Sequence, residues 1–237
     1  MGGRRRAPTV TATAQRAPRR RGPAPALAPD VERRAIFDAA LRVLKASGYD
    51  RATLDEVLTE ASLSTRAFYR HFSSKDELLA ALHREEARAV AARLARLTAA
   101  AGDPLAALEA WVDDVLAIGF DPKRVERAGL LRSKGARSAA GWEEARRVAR
   151  EAITEPLVAV LQSGRDSGIF PGADPALDAR TICAITFDLL DDIGVAPPRL
   201  GRAAARAHVL RFALAALGAA GFGAVPPPKG RSARGRT

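Results

Sequence analysis

Thr65, Arg66, Tyr69 and His71 fall within seven residues, and Lys75 follows four positions later. A hydroxyl, a guanidinium, a phenol, an imidazole and an ammonium so closely spaced form a hydrogen-bonding set, and their chemistry is recognition. A guanidinium can pair bidentately with guanine O6 and N7, and a threonine can meet a base or a thymine methyl. Tyr69, His71 and Lys75 suit phosphate oxygens, Lys75 doubly so because the free N–H groups of a first helical turn favour an anion. Ala67 is small enough for close approach to a nucleic-acid backbone. Thr53 can offer its hydroxyl or its N–H to another phosphate.

These residues need a rigid support, and the flanking sequence predicts one. Asp30 is expected to cap a first helix that runs to about Ser47, with Ile36, Ala40, Val43 and Leu44 on its apolar face and Gly48 as a left-handed stop. Thr53 caps a second helix, with Glu56 as its capping-box partner. Ser62-Leu63-Ser64 forms the turn, and Ser64 caps a third helix over about Thr65–Phe72. At about 100° per residue, Phe68 and Phe72 share one face, and with Leu63 they pin the rod against Ile36, Leu44, Leu54 and Leu58. Arg66 and Arg70 lie opposite, with Thr65 and Tyr69 on one flank and Ala67 and His71 on the other. Ser73 or Ser74 starts a long fourth helix, from about Lys75 to Leu97, with Asp76 and Glu77 at its positive end.

Residues from about Arg34 to Leu82 resemble the N-terminal domain of the tetracycline-repressor (TetR-type) family of bacterial transcriptional regulators. The resemblance rests on Ile36 with Ala39-Ala40, Gly48-Tyr49, Thr53, Leu63-Ser64, the block Phe68-Tyr69-Arg70-His71-Phe72, and Ser74-Lys75-Asp76-Glu77-Leu78-Leu79. It implies base contacts from Thr65 and Arg66, and backbone contacts from Thr53, Ala67, Tyr69, His71 and Lys75. Two positions depart from the pattern. Leu58 stands where the family often has Ala, and Ser62 where it often has Gly, so Ser62 must adopt a turn conformation that glycine takes without steric cost.

The net charge of +11 looks like a nucleic-acid signature, but its distribution is uneven. Residues 1–29 hold seven arginines and no acid, and residues 226–237 hold Lys229, Arg231, Arg234 and Arg236 and no acid. The two ends account for the whole excess, so affinity in the neutral body must come from where its charges sit. Both ends read as disordered, a basic arm at 1–29 and a basic tail at 226–237. Arg19, Arg20 and Arg21 either follow the minor groove or phosphates or remain solvated. One cysteine, Cys183, suits a reducing cytosol and reads as a small buried hydrophobe. No apolar run reaches a membrane span, the nearest being Phe212–Val225, which glycines interrupt.

The organisation is therefore all-α. A three-helix helix-turn-helix domain at 30–79 precedes a helical regulatory and dimerisation bundle at 80–225. In the bundle, Asp-Pro pairs open helices at Asp103-Pro104, Asp121-Pro122 and Asp174-Pro175. They are expected to run to about Gly119, Leu131 and Ile193. Gly141 or Trp142 starts a long helix to about Gly164 with a kink or break at Pro156. Pro197-Pro198 precede a last helix over about Arg199–Leu217.

For this second half the resemblance is architectural, and it implies a small-molecule site and a homodimer through the last two long helices. Dimerisation has its own physical reason, since two half-sites about one turn apart multiply specificity. The stripe Ala203, Ala207, Leu210, Leu214 and Leu217, with Ala204 and Ala215, either faces a partner or packs within its own subunit. Trp111, Phe120, Trp142 and Phe187, with His208 as a polar contact, are the pocket candidates. Few charges mark the interior, so a largely apolar effector is expected.

The sequence thus predicts a cytoplasmic, sequence-specific regulator of a palindromic double-stranded operator, released by ligand through movement of the fourth helix; a ligand that promotes binding is equally allowed. Nothing calls for a cofactor or a metal: there is no His-Glu-x-x-His, no cysteine pair, no phosphate-cradling glycine loop and no Gly-x-Ser-x-Gly. The rival readings are a non-specific architectural protein that binds through its basic ends, and a helical enzyme.

Overall fold

The computed structural model describes residues 28–190 and 200–221. The arginine arm up to residue 27, the expected helix end at Ile193, Pro197-Pro198 and the basic tail lie outside the described residues. Every regular element among those described is a helix. They are α1 (Pro29–Ser47), α2 (Leu54–Ala61), α3 (Thr65–Tyr69), α4 (Lys75–Ala99), α5 (Pro104–Phe120), α6 (Pro122–Arg132), α7 (Lys134–Ser138), α8 (Trp142–Asp166), α9 (Pro175–Asp188) and α10 (Arg202–Ala216).

Local chemistry sets most of these boundaries. Thr53 and Glu56 form the full capping box of α2, and the side chains of Ser64, Ser74, Asp103, Asp121 and Asp174 accept N–H bonds at the starts of α3, α4, α5, α6 and α9. The start of α1 differs from expectation. Pro29 takes the first helical position, where its missing N–H costs nothing, Ala28 is the cap residue, and Asp30 lies in the first turn. Gly48 closes α1 at φ 75°, ψ 167°, an extended positive-φ conformation rather than the left-handed helical one. Ser62 does adopt the left-handed turn, at φ 54°, ψ 39°. Helix α3 is shorter than expected, stopping at Tyr69, and the following turn keeps Phe72 on the same face through its N–H bond to the Phe68 carbonyl. Helix α8 continues through Pro156. Helices α9 and α10 are shorter at the ends that face the undescribed segment, and α7, capped by Ser133, was not foreseen.

Two apolar cores form, and α4 contributes to both. The front core joins Ile36, Phe37, Ala40, Leu44, Leu58, Phe68 and Phe72 to Leu78 and Leu82 of α4. The back core joins Ala87 and Leu94 of α4 to α5, α8, α9 and α10. Helix α4 packs along α8, which also packs on α5 and α9. Phe68 has no exposed surface and Phe72 almost none; burial of each side chain contributes roughly 1.5–3 kcal/mol. The Phe72 ring lies tilted between those of Phe37 and Phe68, 5.6 Å from each centroid, and links α3 to α1.

Candidate nucleic-acid interface and ligand cavity

Because Phe68 and Phe72 are buried, the opposite face of α3 points outward. Thr65 and Arg66 are exposed, and Tyr69 keeps 58% of its surface open while its ring edge rests on Phe68. Among the described residues, no side chain pairs with Arg66. This set is an uncommitted guanidinium, a hydroxyl and a phenol on a helix clamped from behind, and it can be placed against a groove without breaking any internal bond.

The other expected contact residues also bond within the chain. Ala67 is buried, and its N–H is taken by Ser64 Oγ at 3.2 Å. Arg70 Nη2 donates to both carboxylate oxygens of Glu32, at 2.7 and 2.8 Å, and His71 Nε2 lies 3.0 Å from Glu32 Oε2. Glu32 is a buried acid on α1 that sequence reasoning missed. The hydrogen bonds from Arg70, then His71, hold its carboxyl below the ordinary carboxylate range. Its position gave a partial signal: residue 32 sits one turn before the buried Ile36, on the face that meets α3. Lys75 donates its ammonium to the carbonyls of Tyr49 (3.1 Å) and Ala52 and rests over the Tyr49 ring at 4.8 Å. Thr53 is exposed, yet its N–H and hydroxyl both bond Glu56 Oε2. His71 therefore ties the turn after α3 to α1, Lys75 ties α4 to the α1–α2 loop, and Thr53 closes the start of α2.

The back half contains a cavity of about 810 Å³, a size that suits a small organic ligand. Trp142 and Phe187 line it, together with Val90, Ile118, Leu131 and Ile153. The other three pocket candidates do not. Trp111 is fully buried in the back core, with Nε1 donating to the Ile153 carbonyl at 3.1 Å. Phe120 packs against that core at the end of α5. His208 is on α10, 3.2 Å from Arg211 Nη2, with its ring tilted against Phe212.

The lining also corrects the expectation of few interior charges, because it includes eight arginines against three glutamates. Arg93 and Arg124 share one carboxylate, Asp114, at 2.8–3.1 Å. Burial pushes the Asp114 carboxyl up, and the hydrogen bonds from Arg93 and Arg124 outweigh that effect and leave it below its ordinary value. His83, against Trp142, has an Nδ1 that is buried without a partner. Burial, and then Arg132 and Arg84, depress its pKa to about 4, so the ring is neutral. Cys183 is a fully buried thiol whose pKa burial raises.

Helices α6 and α7, with the loop that follows them, touch both the cavity and the end of α1, the α1–α2 loop and the start of α4. Leu131, Arg132 and Arg137 line the cavity. On the other side, Lys45 pairs with Glu126 at 3.0 Å, and Asp76 accepts from both Tyr49 Oη (3.3 Å) and the Ala140 N–H (3.1 Å). Gly135 sits so close to the α1–α2 loop that an added Cβ would lie 2.1 Å from Asp50 Oδ1 and 2.4 Å from Tyr49 Cδ1.

Comparison with known proteins agrees with the helical fold. Residues 36–82 match the model for bacterial regulatory proteins of the tetR family. The HTH-type transcriptional repressor Rv1474c of Mycobacterium tuberculosis is 35% identical over 135 residues, 56% of this chain and 68% of that protein. The A-factor receptor protein of Streptomyces griseus is 30% identical over 160 residues, 64% of this chain and 51% of that protein, so the match spans about half of that relative's length. Among solved structures, a tetR-family regulator from Mesorhizobium loti superposes with a TM-score of 0.65 at 19% identity, covering 80% of this chain and 98% of the other. On the matched helix-turn-helix and the extended identity to the mycobacterial repressor, the chain belongs to the tetR family of bacterial regulatory proteins.

Proposed function

We propose that the protein is a cytoplasmic, homodimeric transcriptional repressor rather than an enzyme. It binds a palindromic operator through α3 and releases it when a small molecule fills the cavity. The observation that carries this reading is the division of α3 into a buried Phe68–Phe72 side and an outward Thr65–Arg66–Tyr69 side. Arg66 and Thr65 read bases, Tyr69 meets a phosphate, and Thr53, Ala67, His71 and Lys75 hold the helix in the pose that allows this. The helix-turn-helix domain then spans residues 30–79 and the regulatory domain 80–225, with α4 crossing between their cores.

Dimerisation through α9 and α10 is supported by apolar and small residues left outside. Leu177 is 58% and Phe212 51% exposed, with Ala184, Ala203, Ala204 and Ala207 also on the surface. Leu210, Leu214 and Leu217 of the expected stripe are instead buried in their own subunit. Among the described residues no helix is long and apolar enough to cross a membrane. Ligand and operator couple through α4, and the α6–α7 contacts with Tyr49, Asp50 and Asp76 give them a second route; coupling of ~1–3 kcal/mol corresponds to roughly 5- to 150-fold in operator affinity.

Selection of bound duplexes from a random library tests the reading. A two-fold symmetric consensus with half-sites about one helical turn apart is expected. Binding without any consensus, abolished by removing the basic ends, would favour the architectural alternative.

A further inference from the structure

The cavity combines an apolar wall with more positive charge than its own carboxylates neutralise. Arg127 pairs with Glu86, Arg146 with the exposed Glu143, and Arg93 and Arg124 divide the single charge of Asp114. Arg150 lies over the Phe187 ring at 5.0 Å, and Arg137 donates to the Arg132 carbonyl; among the described residues neither has a carboxylate partner. A neutral apolar ligand in this space would strip water from guanidiniums and give them nothing in return, a cost that works against its apolar gain. A cation would meet a positive potential focused by the cavity walls. An anion gains charge-assisted, bidentate hydrogen bonds.

We propose that the cavity takes an amphipathic anion, its apolar body against Trp142, Phe187, Ile153 and Leu131 and its carboxylate or phosphate head on Arg150, with Arg137 adding to the field. The buried, unpartnered Nδ1 of His83 offers one further hydrogen bond to a polar atom of the ligand body. Burial above all holds His83 neutral, with Arg132 and Arg84 adding to the effect against the opposing charge of Glu86. This deepens the regulatory reading of the cavity and rests on it only for the consequence at DNA.

The chain has two tryptophans, and only Trp142 lines the cavity, so intrinsic fluorescence of the full-length protein reports occupancy directly. Decanoate, decyl phosphate, decanol and decylamine are titrated below their micelle concentrations. Both anions are expected to change Trp142 emission with affinities at least about 10-fold tighter than decanol or decylamine, in line with one charge-assisted contact. The tighter of the two assigns the head group. Arg150→Gln should weaken anion binding about 10-fold or more, and the surface change Arg137→Gln by less, with decanol unaffected in both. Trp142→Phe should remove the signal and leave Trp111 emission flat. Circular dichroism confirms that each variant is folded. Decanol or decylamine binding as tightly as decanoate, or no Trp142-dependent response to either anion, would overturn the proposal. Operator release is scored separately: cavity binding without release counts against the regulatory reading and leaves the ligand class standing.

Discussion

On and around α3 the polar groups separate into two sets. Arg70, His71, Lys75 and Thr53 are satisfied by Glu32, by backbone carbonyls and by Glu56, while Thr65, Arg66 and Tyr69 are left open. In the cavity the pairing is incomplete. There the carboxylates are too few for the guanidiniums, and Asp114 serves two of them at once. A rigid reader needs every supporting group satisfied, so that its few free donors keep one geometry. A receptor gains from groups whose pairing is incomplete, because a ligand can complete it. The same residue type, arginine, therefore stands in opposite states: Arg70 is bound to a neighbouring helix, Arg66 is left open on the outward face, and Arg150 has no carboxylate partner among the described residues.

The largest effect should come from breaking the support of the reader. Phe68→Ala is expected to cost about 3–5 kcal/mol of stability, because the side chain is fully buried in the front core against Phe72. Thermal melting by circular dichroism checks the loss, and below the lowered melt the Trp142 response to anion should persist.

Glu32→Gln comes next. It leaves Arg70 and His71 without a charged partner and should lower the melting temperature by less than Phe68→Ala. The native contribution also depends on pH. The folded carboxyl titrates below its ordinary value of 4.5, so the stabilisation is complete above that value and is lost as pH falls through it toward the lower folded value. Melting curves between pH 3 and 6 should show wild type converging on the variant at the acid end, with the two furthest apart at pH 6.

Gly135→Ala attacks the contact between the two regions. The new methyl must displace Tyr49 and Asp50, and operator affinity should fall by about 0.5–2 kcal/mol while anion affinity in the cavity is unchanged. Paired titrations with duplex and with decanoate measure both. The smallest effect belongs to Tyr69→Phe, which would remove the one phosphate hydrogen bond proposed for this side chain. It should weaken all duplexes alike by about 0.5–1.5 kcal/mol and leave sequence preference intact.

What was legible in the sequence was what is decided locally. The boxes and caps at Thr53, Ser64, Ser74, Asp103, Asp121 and Asp174 act over three or four residues, and the Phe68–Phe72 pair shares a face by helical geometry alone. What was hidden depends on distant partners. Glu32 and Arg70 are 38 positions apart, and Lys75 meets carbonyls 23 and 26 residues upstream, so nothing near His71 or Lys75 announces that they are already engaged. The cavity was hidden for a related reason. Arginines spaced along α4, α6 and α8 read as solvated faces of separate helices, and only packing turns those faces toward one another. Helix α7 is five residues long, too short for a periodic signal.

The central claim is that Arg66 reads sequence and does not merely add charge. Fluorescence anisotropy on the selected operator and on a scrambled duplex of equal length, at one fixed salt concentration, tests it with wild type and Arg66→Ala. The specificity ratio should fall by an amount worth about 1–3 kcal/mol, with binding to the scrambled duplex changed far less. An unchanged ratio in a folded Arg66→Ala protein would contradict the account.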